Sequence, residues 1–335
     1  MKTFIIAELS ANHNHKKDIA LKTIEAAKKA GADAVKIQTY TADTITLDCD
    51  NEYFQINQGT LWDGTTLYKL YQQAYTPWEW HQELFDYATE LGIPLFSTPF
   101  DKKAVDFLET LNNPIYKIAS FEITDIPLVE YTASKHKPMI ISTGIATLQE
   151  IGEVLAVCKK AGNSDVTLLK CTSSYPAPLN EANLLTIPDM IQRFNCKVGL
   201  SDHTMGDTCA CAAVTLGAQV IEKHFIIDRS IGGADAAFSM EAEEFALMVK
   251  RIRETEESLG QVSYELSELS KKSRKFSRSL FAVQDIRKGD VFTEENVRSI
   301  RPGNGISPKY ISEILGKKSK ISIKKGTPIK FEFYK

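Results

Sequence analysis

A (β/α)8 TIM barrel followed by a small, β-rich C-terminal domain is the fold class the sequence predicts, and three observations predict it. Short β-branched runs alternate with longer helical patterns over residues 1–260, the signature of a parallel sheet with crossover helices. The runs number eight, the count that closes such a barrel. After Gly260 the composition changes to a charged stretch and then to short apolar pieces divided by turns.

The predicted strands are 4–7, 34–38, 94–97, 115–118, 139–142, 166–170, 197–200 and 220–223. Helical patterns lie between them at 19–30, 77–91, 102–111, 148–161, 207–216 and 242–259, several stopped by glycine: Gly31, Gly92, Gly162, Gly217 and Gly260. The connection over residues 40–67 is too long for an ordinary βα loop and rich in polar and aromatic groups, which predicts a substrate loop over the barrel mouth. Residues 261–276, dominated by Ser, Lys and Glu, read as a linker or arm. Residues 277–335 carry the turns Lys288-Gly289-Asp290, Arg301-Pro302-Gly303-Asn304-Gly305 and Lys325-Gly326-Thr327-Pro328, a pattern for a compact module with little core of its own.

The length of 335 residues suits a barrel of about 250 residues with an appendage. With 43% hydrophobic and 25% charged residues, the chain is predicted to be globular. A net charge of -3 gives no global attraction to nucleic acid or anionic membrane, so anionic ligands must be held by locally placed cations. Glu8 interrupts the short apolar start, and no run approaches membrane-span length, which predicts a cytoplasmic protein. The six cysteines form no CxxC pair and are expected to be reduced.

Barrel enzymes build their sites at the C-terminal strand ends, and here every such end is polar. In order the ends carry Glu8; Lys36 and Gln38; Ser97 and Thr98; Lys117, Ser120 and Glu122; Ser142 and Thr143; Thr172, Ser173 and Tyr175; Ser201, Asp202 and His203; and His224. Any one of them reads most simply as a cap or a solvated loop residue; their joint placement does not. His203 and His224 end neighbouring strands and can share one divalent ion, completed by Asp235 or water. General acid work or structural hydrogen bonding are the alternatives for the pair. His13 and His15 belong to the loop after the first strand and are expected to be structural. Lys36 and Lys117 end apolar strands, where a desolvated ammonium calls for an anion. That anion is a bound carboxylate or phosphate, or else one of Glu8, Glu122 and Asp33; a Schiff-base lysine is the rival functional reading. Glu8 and Glu122 are the candidate acid/base groups.

The chain resembles the sialic acid synthase family over nearly its whole length. The resemblance rests on Ile-Ala-Glu-Leu-Ser-Ala-Asn-His (6–13), Gly-Ala-Asp-Ala-Val-Lys-Ile-Gln-Thr-Tyr (31–40), Tyr-Lys-Ile-Ala-Ser-Phe-Glu (116–122), Ser-Thr-Gly (142–144), Cys-Thr-Ser-Ser-Tyr-Pro (171–176), Gly-Leu-Ser-Asp-His (199–203), Ile-Glu-Lys-His-Phe (221–225) and Arg-Pro-Gly-Asn-Gly (301–305). It implies a barrel joined to an antifreeze-like (SAF) domain in a domain-swapped homodimer. It further implies condensation of phosphoenolpyruvate with an amino-sugar aldehyde, assisted by a divalent metal, Mn²⁺ first, with Mg²⁺ or Co²⁺ as alternatives.

Carried onto these positions, the resemblance makes His203 and His224 the metal ligands and gives Lys36 and Thr98 to the phosphoenolpyruvate carboxylate. Lys117, Ser120, Ser142, Ser173 and Ser201 fall to the phosphate, and Gln38, Tyr175 and Asp235 to the sugar. Glu8 and Glu122 would face the reacting groups, and Arg301 would reach the sugar from the partner's C-terminal domain. Ser173 stands where many neuraminate synthases have asparagine. The segment Leu61-Trp62-Asp63-Gly64-Thr65-Thr66-Leu67-Tyr68 is similar to the pseudaminic branch, which implies a 2,4-diacetamido-2,4,6-trideoxy-L-altrose substrate. The neuraminate and legionaminate branches are the alternatives within the family, and a non-catalytic glycan-binding protein is the alternative outside it.

Overall fold

The computed structural model describes residues 2–335, which divide after Gly260 into two compact units. In the first, strands β1 (Phe4–Glu8), β2 (Ala34–Thr39), β3 (Leu95–Pro99), β4 (Tyr116–Ile118), β5 (Met139–Ser142), β6 (Val166–Cys171), β7 (Lys197–Asp202) and β8 (Val220–Ile226) pair in parallel in chain order. Pairing of β8 with β1, Phe4 opposite Val220 through Glu8 opposite His224, closes the barrel. All eight predicted strands are present.

Strand alternation sorts the side chains into two populations. Outward residues such as Ile5, Ala7, Val35, Ile37, Leu95, Ile118, Ile141, Leu168, Val198 and Ile221 pack beneath the surrounding helices in the main core. Inward residues Ile6, Ala34, Phe96, Ile140, Leu169 and Val220 form a separate apolar floor inside the barrel. Gly199 makes this floor possible, because a Cβ there would lie 2.3 Å from the Val220 carbonyl oxygen and 2.7 Å from Leu169 Cδ2. Two residues further along each strand the inward positions turn polar, and the site begins.

The helices carry the caps that their sequences offer. Asp101 accepts from Ala104 N–H at the start of Lys102–Thr110, and Thr147 with Glu150 forms a capping box on Leu148–Lys160. Gly92, at φ 68°, ends His81–Leu91 in the left-handed conformation. Helices Ile126–Ala133 and Thr186–Phe194 fall outside the helical patterns picked out above; each has a proline in its first turn, where the missing N–H costs nothing. The connection after β2 holds a short helix, Ala42–Ile45, a bridge between Gln55 and Thr66, and the helix Leu67–Ala74.

In the second unit, β10 (Ser279–Ala282) pairs antiparallel with β11 (Val297–Ile300); β9 (Met240–Glu241) precedes them as a short addition to β8. Regular β structure ends there, because turns at Gly289, Gly316 and Gly326 interrupt the remaining extended pieces. A core of Leu280, Ala282, Ile286, Phe292, Val297, Ile314, Ile323, Ile329 and Phe333 holds the unit together. The stretch preceding it contains one short helix, Glu268–Arg274, capped by Ser267. No helix among the described residues is long and apolar enough to cross a membrane. All six cysteines are free thiols.

Candidate active site

The polar layer above the floor is a network of buried charges. Lys36 Nζ lies 2.5 Å from Glu8 Oε2 and 3.8 Å from Glu222 Oε1, and Lys117 Nζ lies 3.5 Å from the same Glu222 oxygen. Lys36 also donates to Thr98 Oγ1 at 3.2 Å, Ser201 Oγ donates to Glu222 at 3.2 Å, and Gln38 Nε2 donates to Glu8 and to Ser10 at 2.9 Å each. Burial works against each charge here, and the neighbours decide the outcome. It raises Glu8 in spite of Lys36, whereas Lys117 and Lys36 overcome it at Glu222 and hold that carboxyl low. Glu222 and Glu8 likewise overcome it at Lys36 and raise that lysine, but at Lys117 burial prevails and lowers it.

Glu222 is the residue that sequence reasoning missed. Its signal was available: on β8 it stands two before His224 and must share its inward face. Of the anions weighed for the two lysines, Glu8 is present as a counterion, and Glu222 joins it. Asp33 pairs instead with Lys2 and Arg253 just before β2, at the opposite end of the barrel, and Glu122 makes no ion pair among the described residues.

Beside Lys117, hydroxyls converge. Ser120 Oγ accepts from Gly144 N–H at 3.1 Å, and a Cβ at Gly144 would meet Ser173 Oγ, Ser120 Oγ and Cys171 Sγ at 2.1, 2.8 and 3.2 Å. Glycine at 144 therefore keeps a concave space lined by donors. Among the described residues Ser142 Oγ is buried without a partner, as is Glu122 Oε2. Burial pushes the Glu122 carboxyl up to about 7, against the pull of Lys117.

His203 and His224 face each other with ring centroids 5.3 Å apart. Nδ1 of His203 bonds the Thr172 carbonyl at 3.0 Å, a donation that directs Nε2 outward as the lone-pair nitrogen. Among the described residues His224 Nδ1 is buried without a partner, 3.7 Å from Asp235 Oδ2, and burial holds the pKa of this imidazole well below its usual value. Asp235 is in turn bonded by Ser10 Oγ. Two imidazoles with a nitrogen each to offer, and a carboxylate nearby, fit an open divalent-ion site and not a closed cage. Among the described residues no cluster of three or more His, Cys, Asp or Glu is set to hold a metal.

Aromatic groups wall the histidine side. Tyr175 packs 4.4 Å from His203, Phe238 packs 4.9 Å from His224, and Trp62 lies 5.7 Å from Tyr175. Trp62 Nε1 donates to Ala234 O at 2.9 Å, so the long connection after β2 does close over this side. His13 is buried away from the ion pairs, its Nε2 3.2 Å from Thr76 Oγ1 and its Nδ1 accepting from His15 N–H; the two fasten the first loop to residues 72–76. Thus Glu8, Lys36, Gln38, Thr98, Lys117, Ser120, Glu122, Ser142, Ser173, Tyr175, Ser201, His203, His224 and Asp235 all belong to one barrel mouth. Arg301 follows β11 in the second unit and is exposed.

The chain has relatives among known proteins. Residues 23–264 match the NeuB family and residues 277–334 match the SAF domain. The chain belongs to the NeuB family. A pseudaminic acid synthase of Campylobacter jejuni is 50% identical over 329 residues, 98% of this chain and 96% of that protein. An N,N'-diacetyllegionaminic acid synthase of the same organism is 40% identical over 94% of this chain and 95% of its own length. The solved structure of a spore coat polysaccharide biosynthesis protein from Bacillus subtilis, 34% identical, superposes with a TM-score of 0.67 over 100% of this chain and 95% of that one. The resemblance to the sialic acid synthases read from the motifs is thereby borne out.

Proposed function

We propose that this chain condenses phosphoenolpyruvate with 2,4-diacetamido-2,4,6-trideoxy-L-altrose and water to give pseudaminic acid and phosphate. The choice of sugar within the family follows the 50% identity to a pseudaminic acid synthase against 40% to a legionaminic one. The observation that carries the chemistry is the buried lysine pair beside a cradle of hydroxyls in which Ser142 Oγ has no partner among the described residues, because it offers one pole for a carboxylate and one for a phosphate.

Lys36 and Thr98 hold the carboxylate; Lys117, Ser120, Ser142, Ser173 and Ser201 hold the phosphate. Gln38, Asp235 and Tyr175 orient the open-chain sugar so that its C1 carbon lies against carbon three of phosphoenolpyruvate. A divalent ion held by His203 and His224, Mn²⁺ in the first instance, supplies Lewis-acid polarisation of the aldehyde oxygen when bound. Carbon three attacks the aldehyde carbon with the electrons of its double bond to carbon two, so that a carbon–carbon bond forms, the carbonyl double bond opens, its oxygen takes a proton from solvent, and carbon two is left electron-poor. Water adds to carbon two and gives a proton to Glu122, whose unpartnered oxygen and raised pKa suit it to accept one. Glu8, engaged by Lys36 and Gln38, keeps the cation in place. The tetrahedral intermediate then expels phosphate with carbon–oxygen cleavage, leaving the ketone. Arg301 completes the sugar site from the second chain of a swapped homodimer, and the enzyme works in the cytoplasm.

Incubating phosphoenolpyruvate with the altrose derivative and, separately, with N-acetylmannosamine, and weighing the products, tests the reading. A higher kcat/KM for N-acetylmannosamine refutes the pseudaminic assignment; phosphate release with neither sugar refutes the synthase. Borohydride with pyruvate should trap no lysine adduct.

A further inference from the structure

Behind the imidazoles lies an ion pair that the chemistry above does not use. Asp202 and Lys223 are register partners on β7 and β8, on the outward face, each nearly inaccessible to solvent. Lys223 Nζ lies 2.7 Å from Asp202 Oδ2 and also donates to the Thr204 carbonyl. Asp202 Oδ1 accepts from Thr204 N–H at 2.9 Å and from its hydroxyl at 2.8 Å. The backbone on both sides of His203 is therefore clamped to β8, while Ala177 N–H bonds the His203 carbonyl at 2.9 Å. Alternation places His203 and His224 on the inner face, one residue beyond each member of the pair. A buried ion pair is a poor way to gain stability, since apolar residues of like volume serve as well or better, so its presence calls for a geometric reason.

We propose that Asp202 and Lys223 are positioning residues for the two imidazoles: they lock the ends of β7 and β8 in register and so fix the spacing of His203 and His224 and keep His203 Nδ1 on the Thr172 carbonyl that sets its tautomer. The inference rests on the proposed function for the identity of what the imidazoles hold.

The neutral variant Asp202→Asn/Lys223→Met keeps the Thr204 cap and removes the cross-strand bond. In the full-length chain, calorimetric titration with Co²⁺ should show affinity reduced about 10- to 100-fold, the usual cost of disturbing a ligand's support. The thermal midpoint should stay at or above that of the parent. Spectra of ¹⁵N-labelled histidine should change from a single His203 tautomer to a mixture. Parental affinity together with an unchanged His203 spectrum overturns the proposal. Should the double variant not fold, Asp202→Asn alone is held to the same outcomes. A parent that binds no Co²⁺ removes the metal from the proposed function, and the His203 tautomer then decides this inference by itself.

Discussion

Near pH 7 a carboxyl titrating at about 7 is half ionised, so Glu122 should imprint itself on the rate. As the base that takes a proton from water it must be ionised, and kcat/KM should fall as pH drops through about 7. Glu122→Gln should lower kcat by about 100-fold or more, and its residual rate should lack that acid limb. A wild-type profile flat from pH 6 to 8 would remove Glu122 from the role. The same group bears on stability with a definite sign. Its folded pKa lies above its unfolded value, so ionisation disfavours the folded state as pH rises from about 4.5 to about 7, and Glu122→Gln should relieve that cost at neutral pH. The imidazoles make a separate prediction at this scale. Alanine at His203 or His224 should abolish calorimetric metal binding and turnover while the far-ultraviolet circular dichroism stays that of the parent, because neither ring supports the core clusters.

Among the elements, the connection after β2 is the one whose sequence is most particular, and Trp62 is its contact with the site. Trp62→Ala should raise KM for the altrose derivative more than for phosphoenolpyruvate, since the indole leans on Tyr175 on the histidine side and lies away from the lysine side. Equal effects on both KM values would argue for a general loss of order. The strands were legible because period two and the run of β-branched residues are local signals, and the polar strand ends announced the mouth. Less legible was whatever depends on which face a residue takes. Glu222 hides between two residues that draw attention for other reasons, Phe238 lies in a loop with no periodicity, and the two proline-led helices mimic turns. Gly199 and Gly144 gave no sign of their spatial roles, which arise only when distant strands meet. Of the carboxylates weighed for the lysines only Glu8 pairs with one, because counting charges at strand ends cannot reveal which carboxylates stand across the barrel.

For the whole molecule, the proposed swap makes a test that single sites cannot. Arg301→Ala and Lys117→Ala homodimers should each be nearly inactive. Unfolded together and reassembled, they should recover activity, because a swapped heterodimer holds one mouth with both defects and one with neither. Verified heterodimers without activity would mean that each Arg301 serves its own barrel.

The apolar floor inside the barrel is thin, and the layer directly above it is mostly charge and hydroxyl. A designer asked only for the most durable barrel would put leucine or methionine at 8, 36, 117 and 222, and a reconstruction of that kind should melt above the natural chain and catalyse nothing. The helices and their underlying core must therefore supply the stability that the upper half of the barrel forgoes, so mutational tolerance should be distributed radially. Conservative changes outside the strands are expected to be absorbed, and isosteric changes inside are expected to spare the fold and silence the enzyme.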